Sequence, residues 1–147
     1  MANRNDYPSG PRAGLTVDHL DRRDEVVIQA LVTAGALVAL ADGRVEAIER
    51  DELVDFIDRQ GFVPSMSRHE IGLAFDTRVN ELKDREISDV IAQSLRPLAG
   101  SPLASLVIRT ATQVVAADRH LHPGEVRALK LLRQAVTTNP DPQPITS

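Results

Sequence analysis

One pattern in this chain occurs twice. Val38, Ala41, Asp42, Glu49 and Leu53 recur at the same mutual spacing as Val114, Ala117, Asp118, Glu125 and Leu129. Leu31, Val32 and Val45 meet the aliphatic counterparts Val107, Ile108 and Leu121. Each copy reads as a long apolar helix, an Asp, a short turn, and a second helix with Glu in its first turn. Such a hairpin leaves its apolar helix half covered. Two of them can cover each other around a pseudo-twofold axis, and 147 residues suit one such domain.

The remaining pattern is helical throughout. No segment sustains the apolar–polar alternation of a half-buried strand. Helices are expected at about 21–41, 47–60 and 68–82, then from 84 to a stop at Gly100, at 103–117, and from Pro123 to about 135. Their ends carry chemical signals. Gly43 and Gly61 suit helix stops. Ser67 with Glu70 forms a capping box. Ser101-Pro102 places a cap before a first-turn proline. Helices one and five are apolar nearly all round and are expected to form the central pair, with the others one-sided and covering them. The fold class is therefore all-α: a single-domain helical bundle of two pseudo-repeated hairpins around a central apolar helix pair. Residues 17–138 form the domain. Residues 1–16 and 139–147 are rich in proline and polar residues and read as disordered arms.

Composition narrows the chemistry. Aromatics are 3% of the chain, so the core is aliphatic. There is no cysteine, hence no disulfide, thiolate metal site or Cys nucleophile. The net charge of −4 speaks against a nucleic-acid footprint. The apolar run 26–41 is shorter than the ~20 residues a bilayer needs, and the N-terminal stretch lacks a signal-peptide core. These features point to a cytoplasmic protein without direct membrane insertion.

The doubled Asp sits at a helix C-terminus, where the macrodipole disfavours a carboxylate by ~0.3–1 kcal/mol. Two explanations stand side by side. The carboxylate accepts hydrogen bonds from turn amides and the next helix's N-terminus, or it holds a cation. Glu49 and Glu125 divide the same way: each reaches back to a cap amide, or faces its Asp across the turn and completes a site. The spacing does not match an EF-hand, because Gly43 directly follows Asp42 and Glu49 comes too early. A divalent ion here would take ligands from two elements and keep water, as Mg²⁺ or a weak Ca²⁺ site does. His120 and His122, beside Asp118 and Glu125, add a weaker case for Zn²⁺.

The run from Ala39 through Asp42 and Glu49 to Arg50, with Ala117-Asp118 and Glu125 late in the chain, resembles the tellurite-resistance TerB family. The resemblance covers about 22–136. It implies an all-helical domain with two acidic turns, a role in tellurite and general stress resistance, and action with membrane and cytosolic partners. It also implies divalent-cation binding through Asp42, Glu49, Asp118 and Glu125. Many relatives carry Asp or Ser where Glu46 and His122 stand, which makes these two the lesser candidates along with His120.

Charge is segregated. The stretch 42–58 is strongly acidic, and 118–133 carries a positive surplus in Arg119, Arg127, Lys130 and Arg133. These are either two solvated helix faces or a bipolar surface for partner proteins or self-association, leaving room for a homodimer. No nucleophile elbow, Gly-rich phosphate loop or HExxH is present. The expected function is a non-catalytic stress or tellurite-resistance module that binds a divalent cation and docks protein partners, within a membrane-associated resistance complex. The alternative is a metal-free structural adaptor.

Overall fold

The computed structural model describes residues 22–41, 43–117 and 122–137. The expected arms at 1–16 and 139–147 lie outside them. Among the described residues every regular element is helical: α1 (Arg22–Leu40), α2 (Ala47–Gln60), α3 (Arg68–Leu82), α4 (Ile87–Val90), α5 (Leu103–Ala117) and α6 (Pro123–Thr137). Among the described residues no helix is long and apolar enough to cross a membrane.

The ends follow local chemistry. Gly61 closes α2 in the left-handed region at φ +68°, which a side chain would strain. Ser67 Oγ accepts from Glu70 N at 3.1 Å while Ser67 N donates to Glu70 Oε1 at 2.8 Å, the full reciprocal box. Ser101 Oγ accepts from Leu103 N at 3.2 Å at the entry to α5.

The fourth helix departs from expectation. It starts at Ile87, not near residue 84, and after α4 it widens to a π-helix over Ile91–Leu95 and tightens to a 3₁₀ turn over Arg96–Leu98. Pro97 accounts for this. Its nitrogen has no hydrogen to give, and its ring would strike the carbonyl four residues earlier. The chain avoids that clash by bonding Arg96 N to Ile91 O, five residues back.

α1 runs through the middle of the molecule. From Val27 to Ala39 all residues are buried except Gln29, while Val26 in its first turn is 54% exposed. It packs against α5, α3 and α6. α5 is its principal partner, as the apolar sequence suggests, but α5 is buried on one side only. Val107, Thr110, Ala111, Val114 and Val115 face inward, whereas Ser105, Arg109, Thr112 and Ala116 form a solvent stripe. The second helix of each hairpin also packs on the first helix of the other: α2 on α5, and α6 on α1. That exchange is how each hairpin covers its partner's apolar surface.

Two polar details bear on stability. Asp24, in the first turn of α1, is fully buried. Its Oδ2 accepts from Ser65 N (2.8 Å) and Ser65 Oγ (2.7 Å), which ties the α2–α3 connection to the core. Thr110 Oγ1 is buried with no hydrogen-bond partner among the described residues. Thr110→Val should therefore raise stability by ~1 kcal/mol, because an unsatisfied hydroxyl is desolvated without return. The gain should read as a higher denaturant midpoint at unchanged m. A lower midpoint would show that the hydroxyl is satisfied.

Candidate functional site: the acidic hairpin turns

The first turn is assembled from the end of α1 and the start of α2. Gly43 N donates to Leu40 O at 2.9 Å, and Gly43 takes φ +108°, which reverses the chain within a few residues. Glu46 precedes α2 in extended conformation. Three residues on, Glu49 is 0% exposed. Its Oε1 accepts from Glu46 N at 2.9 Å, the cap-amide contact. Its Oε2 is buried with no hydrogen-bond partner among the described residues. One oxygen of this carboxylate is thus a capping group, and the other stands open in the interior. The α2 N-terminus favours negative charge there by a fraction of a kcal/mol. That does not offset leaving a buried charged acceptor unsatisfied, which costs more than the ~1–3 kcal/mol of a neutral group.

The second turn repeats the plan. His122, half-buried, stands before α6, and its carbonyl accepts from Glu125 N (3.0 Å) and Val126 N (3.1 Å). Glu125 occupies the position of Glu49 in the first turn of its helix and is also 0% exposed. Two carboxylates at matched places in the repeat are therefore withdrawn from solvent, where exposure is the rule for Glu.

The other sequence candidates are placed less fully. Glu46 is half-buried, and its Oε2 accepts from Arg44 Nε at 3.1 Å. Asp42, Asp118 and His120 lie outside the described residues. Among the described residues no group of three or more His, Asp and Glu side chains gathers. Carboxylate oxygens are hard, anionic donors, the kind that Mg²⁺ and Ca²⁺ take.

A supporting contact was not anticipated from sequence. Arg50, next to Glu49, grips Asp76 of α3 with Nε–Oδ1 at 2.8 Å and Nη2–Oδ2 at 2.9 Å. The hydrogen bond to Asp76 raises the Arg50 pKa above its ordinary value, against a smaller opposing effect of burial. The guanidinium lies over Gly72, where a Cβ would stand 2.6 Å from Nη2. The bare Gly72 backbone lets the fork reach Asp76, and this fixes the first turn of α2 against α3. Beside this pair a cavity of about 380 Å³, lined by Val45, Glu46, Phe75 and Val79 among others, opens next to the first turn. A lone Gly and an acid so far along the chain give no pairing signal in one sequence.

Helices paired as two crossed hairpins, each with a buried glutamate at the start of its second helix, define an all-helical acidic-turn domain. The family model described as Tellurite resistance protein TerB matches residues 28–141, which take in both hairpins apart from the start of α1. The chain belongs to the TerB family. No curated protein and no solved structure matches it.

Proposed function

We propose that this chain is a non-catalytic cytoplasmic stress and tellurite-resistance module. Its acidic turns bind a divalent cation, Mg²⁺ or Ca²⁺, and its surface docks protein partners, in a membrane-associated complex. Membership of the TerB family supports the tellurite-resistance role at family level. The observation that carries the cation reading is the open Oε2 of fully buried Glu49. Glu49, Glu125, Asp42 and Asp118 would supply the oxygens, with Glu46 and His122 or His120 as lesser ligands. A bound cation would neutralise carboxylates that otherwise repel one another. A second reading, the metal-free adaptor, is favoured by the Glu49 Oε1 contact to Glu46 N, which gives that glutamate a capping role of its own.

Thermal unfolding separates the two. Protein stripped with EDTA should melt at a lower temperature than protein in Mg²⁺ or Ca²⁺. A cation at ~100-fold over its Kd adds ~2.7 kcal/mol, which is several degrees in Tm for a domain of this size. An unchanged Tm in millimolar Mg²⁺, Ca²⁺ and Zn²⁺ would leave the adaptor.

A further inference from the structure

The solvent face of α6 is cationic and carries no acid. Arg127, Lys130 and Arg133 are exposed, and none of their side chains makes an ion pair or hydrogen bond among the described residues. They follow one another at i,i+3, a spacing at which like charges weaken a helix. Val126 (44% exposed) and Leu131 (38%) are interleaved with them. Glu125, the one acid of α6, points inward and is fully buried. Nothing within the described part of the molecule offsets this row.

The opposite charge stands on α2. Its outer side carries Asp51, Glu52, Asp55 and Asp58, with exposed Ile48 (53%) at its start. Arg68 is shared between Asp55 and Asp58, and Arg59 lies 3.8 Å from Glu52. Asp51 has no ion pair among the described residues, and the four acids outnumber Arg59 and Arg68, so the face keeps a negative surplus. Asp51 to Asp58 and Arg127 to Arg133 each span roughly 10 Å at 1.5 Å per residue, so the two rows match in length. Among the described residues the two helices have other principal neighbours: α2 packs on α3 and α5, and α6 packs on α1, α5 and the segment after α4.

We propose that the α6 face of one copy docks on the α2 face of a second copy of this chain. The contact is heterologous, since different surfaces of the two copies meet, and it extends head to tail. Charge rows supply register, and Ile48, Val126 and Leu131 supply the apolar part. This narrows the docking part of the proposed function to self-association and stands independently of cation binding.

Sedimentation of the full chain tests it. The average mass should rise with protein concentration at about 0.01 M salt, where the Debye length is ~30 Å, and fall to monomer at about 1 M, where it is ~3 Å. Arg127→Glu with Lys130→Glu, and separately Asp51→Lys with Asp55→Lys, should each weaken association by at least about tenfold. Arg127, Lys130 and Asp51 are exposed, and Asp55 is half-buried with its ion pair to Arg68 at the surface, so circular dichroism should stay native. Mixing the two charge-reversed chains should restore association, because each then offers what the other lacks. A monomer at every concentration in low salt overturns the proposal. So does association that survives charge reversal, or a mixture that stays monomeric. Capture of the chain by anionic vesicles without self-association would assign the α6 face to a lipid surface instead and equally overturn it. The cation-dependent Tm of the reversed chains reports on the acidic turns separately.

Discussion

Leu53→Ala should destabilise the domain by about 2–5 kcal/mol, read as a lower denaturant midpoint. Leu53 is 0% exposed and projects from α2 onto α1 at Gly35. A Cβ at Gly35 would lie 2.2 Å from Leu53 Cδ1 and 3.6 Å from Val114 Cγ2. The leucine methyl therefore fills the space that a side chain on α1 would take, at the heart of the crossed hairpins. Gly35→Ala should by itself cost about 1–3 kcal/mol through overpacking, although alanine is the better helix former. Leu53 is fully buried, so its methyl cannot swing out into solvent to make room. The two changes together are the sharper test. With Leu53 truncated, the new methyl at residue 35 enters the cavity instead of colliding, so the double variant should lose less than the two single losses combined, by on the order of 1 kcal/mol. Additivity within a few tenths would mean that the helices do not touch there.

The second large effect is expected at the acidic turns. Asp42→Asn, Asp118→Asn and Glu49→Gln should each weaken divalent-cation binding by more than about tenfold, with helical content intact. Glu49→Gln is the most discriminating of the three. The amide oxygen can still accept from Glu46 N, so the cap survives while the charge is gone. Under the cation reading the variant keeps its metal-free stability, or gains some as repulsion falls, and loses the stabilisation by Mg²⁺ or Ca²⁺. Under the adaptor reading neither form responds to the ion. Asp42→Asn and Asp118→Asn then cost only about 0.5–2 kcal/mol, the scale of a lost cap.

The parts of the fold legible in the sequence are those governed by local chemistry. The limits of α2 and α5 and the start of α3 follow from Gly61, Ser101-Pro102 and the Ser67–Glu70 box, each of which acts within a few residues. The same logic under-read the fourth helix. The expected helix ran through Pro97 to Gly100, and apolar spacing at Val90, Ile91 and Leu95 looks alike in α and π winding, so the change of pitch was hidden. α5 misled in another way. Its residues are apolar nearly all round, yet α1 occupies the centre and leaves one side of α5 to water; which of two apolar helices sits deeper depends on what packs over them. At the site, the repeat singled out Glu49 and Glu125, and the cap contact of Glu49 was one of its two readings. Their complete burial was not legible, because it depends on packing contributed by the other hairpin. The Arg50–Asp76 clamp over Gly72 was also missed, since it joins residues far apart in the chain. Asp42 and Asp118 rest on the repeat and the family alone, and His120 on its place beside Asp118 in the sequence.

The most direct measurement is calorimetric titration of chelator-stripped protein with Mg²⁺ and with Ca²⁺, run in parallel on Glu49→Gln. Saturable binding to the parent with defined stoichiometry, weakened by more than about tenfold in Glu49→Gln, is the expected result. No binding heat for either ion, in a parent that an independent shift assay also finds indifferent to them, would contradict a cation at the acidic turns.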